Sequence, residues 1–260
     1  MPEISSQSGV HRTRPRLIFF TGLGCDERMV APHRAIDADI DFVPWIEPLP
    51  DESLTAYSAR LCERIDFSTP FYLAGISLGA MVAQEVARLH KPLGLILLST
   101  CRDRSGIDWS RRFVGRMAAA SPLWFIHIAK TLVPHMRQLF GIFEAKDVAL
   151  FDSMMAASSD ELIAWSIKAV VDWPGVARLD VPTFQVHGER DHILLLKKAG
   201  PVDVVIEAAG HAVTVSHSEQ VNAAVDAWLK GQRKNSRTPL LTSPRVRGEA
   251  PEETEGPARD

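Results

Sequence analysis

The sequence predicts an α/β protein: a mostly parallel, doubly wound sheet flanked by helices, with a helical block inserted after the strand that follows the central helix. Three observations predict it. Short apolar, β-rich runs alternate with amphipathic stretches of helical period through the first part of the chain. A Gly75-Ile76-Ser77-Leu78-Gly79 sequence sits where one such run turns into a helix. Roughly eighty residues then show helical periodicity alone before strand signals return.

Taken in order, Arg16 to Thr21 reads as the first strand and Gly22-Leu23-Gly24 as a turn, with Asp26 capping a helix that runs to about Ile36. Asp41 to Trp45 gives a second strand, after which Pro44, Pro48 and Pro50 keep the chain extended or turning. Ser53 is the N-cap of an amphipathic helix to Ile65, whose apolar residues are Leu54, Tyr57, Leu61 and Ile65. The run from Phe71 leads to the glycine-flanked serine, and Met81, Val82, Val86 and Leu89 mark a helix from Ala80 to His90. Leu93 to Ser99 is continuously apolar, as expected of a central parallel strand buried on both faces. Residues 101–178 carry helices around 109–119, 123–132, 147–156 and 160–173. Strands return at 183–187 and 203–208, and a last helix spans about 216–229. The division expected is a core of 16–100 and 179–231, a helical unit of 101–178, and flexible tails at 1–15 and 232–260, the latter too polar to offset its ordering entropy.

Composition narrows the function classes. At 260 residues and 46% hydrophobic, the chain is long enough for a substantial core, and a formal charge of -3 without a basic, aromatic-interleaved patch argues against nucleic acid as a partner. Cys25, Cys62 and Cys101 are odd in number, far apart and without C-x-x-C spacing, which suggests neither disulfides nor a zinc site and fits reduced thiols in a cytoplasm. No apolar run is long enough for a membrane span or a secretory signal. The Gly22/Gly24 pair could form a phosphate loop, but neither dinucleotide nor P-loop spacing completes, and Asp26 and Glu27 would repel phosphate. No metal and no organic cofactor is expected.

Chemistry concentrates at the carboxyl edge of the expected sheet. A serine on a strand-to-helix turn is held in a strained backbone that lifts its hydroxyl clear, and Gly75 and Gly79 remove side chains that would collide there. A serine hydroxyl needs a base, and the base needs an orienting group. Nine histidines compete; His211, in Ala209-Gly210-His211-Ala212 just past the last strand, is the candidate, while His90, His127 and His135 lie in helical patterns and His217 in a first helical turn. Asp191, following Gly188-Glu189-Arg190 after its strand, is the candidate acid, with Glu189 as a rival and His187 and His192 assigned to local hydrogen bonding. Backbone amides of Leu78 and Leu23 are the candidate donors to a developing oxyanion.

The order Ser, Asp, His, with G-x-x-D after one late strand and Gly-His after the next, resembles the α/β-hydrolase fold superfamily across about Arg16 to Lys230. The resemblance implies Ser77 as nucleophile at a nucleophile elbow, Asp191 as acid, His211 as base, Leu23 and Leu78 at the oxyanion hole, and 101–178 as a cap. Many relatives begin the oxyanion turn with His-Gly where this chain has Thr21-Gly22, which changes its side-chain support, and no hairpin signal precedes the first parallel strand. Serine rather than aspartate at the elbow implies an acyl-enzyme route, unlike the dehalogenases and epoxide hydrolases of this fold. The expected partner is a small-molecule acyl ester or thioester. An acyltransferase would use the same triad, a binding protein on the same scaffold would not turn over, and cofactor-free oxidative chemistry is a third alternative. Part of the set Trp109, Phe113, Met117, Trp124, Phe125, Phe140, Phe143, Phe151, Met154, Met155 and Trp165 is expected to line a pocket.

Overall fold

The computed structural model describes residues 14–176 and 179–237. Among these residues six strands form one sheet: β1 (Arg16–Phe20), β2 (Asp39–Phe42), β3 (Phe71–Ile76), β4 (Leu95–Leu98), β5 (Thr183–Gly188) and β6 (Val204–Ile206), in the order β2-β1-β3-β4-β5-β6. Every pairing among them is parallel, with registers such as Arg16↔Asp39, Phe20↔Gly75, Ile76↔Leu98 and Leu98↔Val186. Because side chains alternate along a strand, the central strands feed two cores. Leu17, Phe19, Ile96, Leu98 and Val186 face one side, where Val221, Val225 and Leu229 of the long C-terminal helix cover them. Ile18, Phe20, Leu73, Leu95 and Leu97 face the other, against α1 (Leu54–Cys62) and α2 (Leu78–Leu89). The sheet is thus covered on both faces, as parallel sheets require.

Local chemistry explains most boundaries. Ser53 caps α1 by accepting from the Ala56 amide, as its position predicts. The helix expected over 26–36 is instead two short 3-10 turns, Glu27–Met29 and Ala31–Ala35. Asp26 does cap the first, but Pro32 has no amide to continue a longer helix and is tolerated only in a first turn. β2 ends before Pro44 rather than at Trp45, and only half-buried or exposed residues compose it, as befits an edge strand with a faint apolar signal.

Between β4 and β5 lie four helices, α3 (Trp109–Ala119), α4 (Leu123–Phe140), α5 (Ala145–Ala157) and α6 (Asp160–Asp172). Two indoles anchor α6 to the rest: Trp165 packs on Tyr57 at 4.2 Å between ring centroids and donates to the Glu52 carbonyl at 2.8 Å, and Trp173 just beyond the helix donates to the buried Glu85 carboxylate at 2.8 Å. Trp165 therefore anchors rather than lines a pocket. A short α7 (Val213–Ser216) precedes α8 (Ser218–Arg237), which continues past the expected end near 229. Of the expected tails, 1–13 and 238–260 lie outside the described residues, while 232–237 belong to α8. No helix among the described residues is long and apolar enough to cross a membrane.

Candidate active site

Ser77 joins β3 to α2 at φ +53°, ψ −119°, a conformation a serine adopts only when its surroundings impose it. Those surroundings are explicit. Its amide donates to the Leu98 carbonyl at 3.0 Å, and its own carbonyl accepts from the Ala80 and Met81 amides at 3.1 and 3.2 Å and from the Thr100 hydroxyl at 3.1 Å. The flanking glycines serve close approach. A Cβ on Gly75 would lie 2.6 Å from the Ala80 nitrogen, and one on Gly79 would strike the Phe20 and Thr21 carbonyls, so α2 can begin directly over the end of β1 only without them.

Ser77, His211 and Asp191, distant in sequence, form a continuous hydrogen-bonded chain. The Ser77 hydroxyl stands 2.9 Å from His211 Nε2, and His211 Nδ1 stands 2.8 Å from Asp191 Oδ2. A carboxylate only accepts, so Nδ1 carries the ring proton and Nε2 is left to accept from the serine. Asp191 Oδ1 takes the Ile193 and Leu194 amides, both at 2.8 Å. Burial alone would raise this carboxyl; the charge of His211 and hydrogen bonds from His187 and His211 outweigh it and hold the group well below the usual carboxylate range. Glu189, the rival acid, is half-exposed and accepts from the Ala208 amide at 2.9 Å, supporting a turn in which Ala208 has φ +59°.

Three supports of the site lie outside the residues the sequence marks as candidates. His187, fully buried on β5, donates from Nε2 to the Leu194 carbonyl at 2.7 Å and lies 3.2 Å from Asp191 Oδ2, the same oxygen that His211 meets. Its spacing of four from Asp191 is a signal visible in hindsight, but nothing local reveals that the loop folds back. The second support is the contact of α4 with the histidine loop. The Phe140 carbonyl accepts the Ala212 amide at 2.8 Å, and Gly141, at φ +73°, meets Gly210 so closely that a Cβ on Gly210 would lie 2.6 Å from the Gly141 Cα. The third is Thr21, whose buried hydroxyl donates to the Cys25 carbonyl at 2.9 Å and braces the turn from within.

That turn is closed by the Cys25 amide on the Gly22 carbonyl at 3.1 Å with Gly24 at φ +70°, and uses no amide of Leu23. Leu78 is the first residue of α2, where the helix offers its amide no acceptor. A Cβ on Gly22 would lie 3.8 Å from that of Ser77, so the turn stands beside the serine. Four other histidines are engaged elsewhere: His33 bonds Asn222 at 2.6 Å, His90 stacks on Phe67 at 3.8 Å, His127 bonds Asp160 at 3.0 Å, and His217 bonds the Ser216 hydroxyl at 2.9 Å. The His135 side chain lies outside the described residues.

Ser77 and His211 open onto a cavity of about 340 Å³ between the sheet edge and the helical segment. Its wall is overwhelmingly apolar, including Phe125, Phe140, Phe151 and Met155 from the helices and Leu23 and Ile76 from the sheet side. Of the aromatic and methionine residues expected to line a pocket, Trp109, Phe113, Met117, Trp124 and Phe143 instead point to solvent, and Met154 is buried. Cys25 touches the cavity, but burial first and the Asp26 charge second push its thiol up to about 12, which keeps it protonated and a poor nucleophile. Among the described residues no group of three or more His, Cys, Asp or Glu side chains could hold a metal ion.

The sequence profile of the alpha/beta hydrolase family matches residues 11–224. Among solved structures the fold is similar to MenH from S. aureus, which is 19% identical with a TM-score of 0.67 over 85% of this chain and 96% of that one. It is similar also to a thermophilic esterase from Thermogutta terrifontis, at 18% identity and a TM-score of 0.61 over 85% and 91% of the two chains. An esterase from Exiguobacterium antarcticum gives 14% and 0.67 over 84% and 92%. At these identities the likeness is one of fold. Comparison with curated proteins finds no match.

Proposed function

Since the chain belongs to the alpha/beta hydrolase family and is an enzyme of the hydrolase type, we propose that it cleaves a carboxylic ester or thioester through an acyl-enzyme on Ser77. The observation that carries this reading is the unbroken Ser77–His211–Asp191 hydrogen-bonded chain, with its serine on a strained turn facing an apolar cavity. His211 Nε2 takes the hydroxyl proton as Ser77 Oγ attacks the carbonyl carbon, and Asp191 stabilises the imidazolium and fixes its tautomer. The developing oxyanion is received by the Leu78 and Leu23 amides, each donor contributing roughly 3–4 kcal/mol in sites of this kind. His211 then protonates the departing alkoxide or thiolate, and in the second half activates a water that releases the acid and restores Ser77.

The helical unit 101–178 acts in this reading as the cap, closing an apolar compartment over the serine and excluding bulk water. Few polar groups line that compartment, so the preferred acyl group is uncharged and aliphatic or aromatic. Two of the structurally similar proteins are esterases, in agreement with this reading.

The test is an acyl-chain and leaving-group panel run on wild type and Ser77→Ala together, with fluorophosphonate labelling of each. Wild type should hydrolyse activated aryl esters and label at Ser77, and the variant should lose about 10⁶-fold in kcat, the scale of other serine triads. Equal turnover by both proteins would remove Ser77 from the chemistry. Labelling without hydrolysis, relieved by an alcohol acceptor, would make the enzyme an acyltransferase.

A further inference from the structure

The turn that carries the Leu23 amide is held from two sides, one of which belongs to the helical segment. From within, the Thr21 hydroxyl bonds the Cys25 carbonyl at 2.9 Å and the Cys25 thiol meets the Leu23 carbonyl at 3.5 Å. From outside, α5 reaches over Gly24. A Cβ on Gly24 would strike Met155 Sδ, and would lie 3.1 Å from Met155 Cε and 3.2 Å from Ile163 Cδ1 of α6. Gly24 therefore serves twice: its φ of +70° turns the chain, and its missing side chain leaves a notch that the thioether fills.

A second tie joins the same elements. Arg28, just past the turn, donates to the Ser153 hydroxyl of α5 at 2.9 Å and to the Ser153 carbonyl at 3.3 Å, and Asp26 both grips that guanidinium and caps the 3-10 turn Glu27–Met29. This tie is partly exposed, and water competes for it. Met155, by contrast, is buried, touches the residue next to Leu23, and lines the cavity together with Leu23, Cys25 and Ile163.

Oxyanion donors act because they stand in place before the charge develops, and a misplacement near 1 Å costs about 10²-fold. The inner bonds run within residues 21–25 and fix the shape of the turn, whereas contacts from outside limit its movement as a unit. We infer that Met155 is a positioning residue for the oxyanion donor: seated in the Gly24 notch, it keeps the Leu23 amide aimed at a carbonyl oxygen held next to Ser77. This rests on the hydrolase reading, and it gives the helical segment a share in the chemistry besides closing the cavity.

The experiment measures kcat and KM for aryl esters of acetate and octanoate, with urea unfolding of each protein, on wild type, Met155→Leu, Met155→Ala, Gly24→Ala and the double variant Gly24→Ala/Met155→Ala. Leucine carries a carbon at the δ position where the sulfur lies, so Met155→Leu should retain kcat to within about threefold. Met155→Ala stops at Cβ and should lose about tenfold or more in kcat, up to the roughly 10²–10³-fold of a donor removed outright, with KM little changed. The loss should be as large on the acetyl ester, which leaves most of the compartment of about 340 Å³ unfilled. Gly24→Ala should cost wild type more kcat than it costs Met155→Ala, whose shortened side chain frees the space; the strain of alanine at φ +70° is common to both backgrounds and cancels. Met155→Val, which ends at Cγ and leaves a smaller hole, replaces the alanine variant if urea unfolding shows that the latter does not fold. A folded Met155→Ala or Met155→Val with wild-type kcat overturns the inference. So does a loss confined to KM that grows with acyl length, which would make Met155 a pocket wall and no more, and so does an equal cost of Gly24→Ala in both backgrounds. A wild type that hydrolyses neither ester and does not react with a fluorophosphonate defeats the hydrolase reading itself, and this inference with it.

Discussion

Asp191→Asn isolates what the acid contributes, because asparagine keeps the shape of the side chain and exchanges one acceptor for a donor. Ile193 and Leu194 present only N–H groups to Asp191 Oδ1, each at 2.8 Å, so the asparagine must aim its carbonyl oxygen there. Its NH₂ then occupies the place of Oδ2 and faces His211 Nδ1, which must become an acceptor. The imidazole proton moves to Nε2, where it confronts the Ser77 hydroxyl at 2.9 Å and can no longer receive its proton. The loss for this tautomer reversal in another serine triad is about 10⁴ in kcat, or about 5.5 kcal/mol of barrier. A second cost falls on His187, whose Nε2–H donates to the Leu194 carbonyl and would now meet the asparagine NH₂ donor to donor; opposing a buried donor in this way destabilises by about 1–3 kcal/mol. Asp191→Ala would lose as much activity and in addition strand the Ile193 and Leu194 amides, costing the fold more than asparagine does. The assay is kcat and KM on an activated aryl ester at fixed pH, paired with urea unfolding of the same samples. If Asp191→Asn retains kcat within tenfold of wild type, His211 does not depend on this carboxylate and the assignment of the acid is wrong.

Two further outcomes follow from the same contacts. Gly210→Ala should push the histidine loop off Gly141 and the Phe140 carbonyl, since its Cβ would lie 2.6 and 2.9 Å from them; a displacement near 1 Å costs about 10²-fold in kcat/KM, and wild-type kinetics would show that this loop contact does not set His211. The depressed Asp191 carboxyl binds its proton less readily folded than unfolded, so its stabilisation is present above the ordinary carboxylate range and is lost as pH falls toward the folded value. The urea midpoint of wild type should therefore fall more steeply below about pH 4 than that of Asp191→Asn, which keeps Asp26, Glu52 and Asp160, all shifted the same way, but not the group in question. Parallel profiles would contradict the shift.

What could be read from the sequence divides along physical lines. β1, β3 and β4 were legible because central parallel strands are apolar on both faces, and the glycines around Ser77 were legible because close backbone approach admits no other residue. Asp191 and His211 could be located because both follow strands that end at one edge of the sheet. The failures lie where distant partners decide. Helical spacing proposed a helix through 26–36, but Pro32 divides it; β2 hides its start because an edge strand has little apolar signal. Local hydrogen bonding of His187 is legible and holds in its bond to the Leu194 carbonyl, but its approach to Asp191 Oδ2 depends on the loop between them folding back. Periodicity along α3 and α4 reveals that Trp109, Phe113 and Trp124 share faces with their neighbours but not which way those faces point, so pocket, core and surface look alike until α6 is in place.

One helix bears on each of these points. α4 supplies Phe125 to the cavity wall, carries the exposed Trp124, Ile128 and Leu132 on its outer side, and ends at the Phe140 carbonyl that holds the Ala212 amide next to His211. Its 18 residues span about 27 Å, and it ends where Gly141 and Gly210 touch without side chains to cushion the contact. The core around Ser77 offers no such freedom, since the elbow is bonded to β4 and braced by Thr100. A shift of the helical segment at its Phe140 end would therefore reach His211 before Ser77. Gly210→Ala accordingly should slow hydrolysis while leaving Ser77 on its strained turn, with φ +53° unchanged in a crystal structure of the variant. A relaxed Ser77 in that structure would place the coupling in the elbow instead.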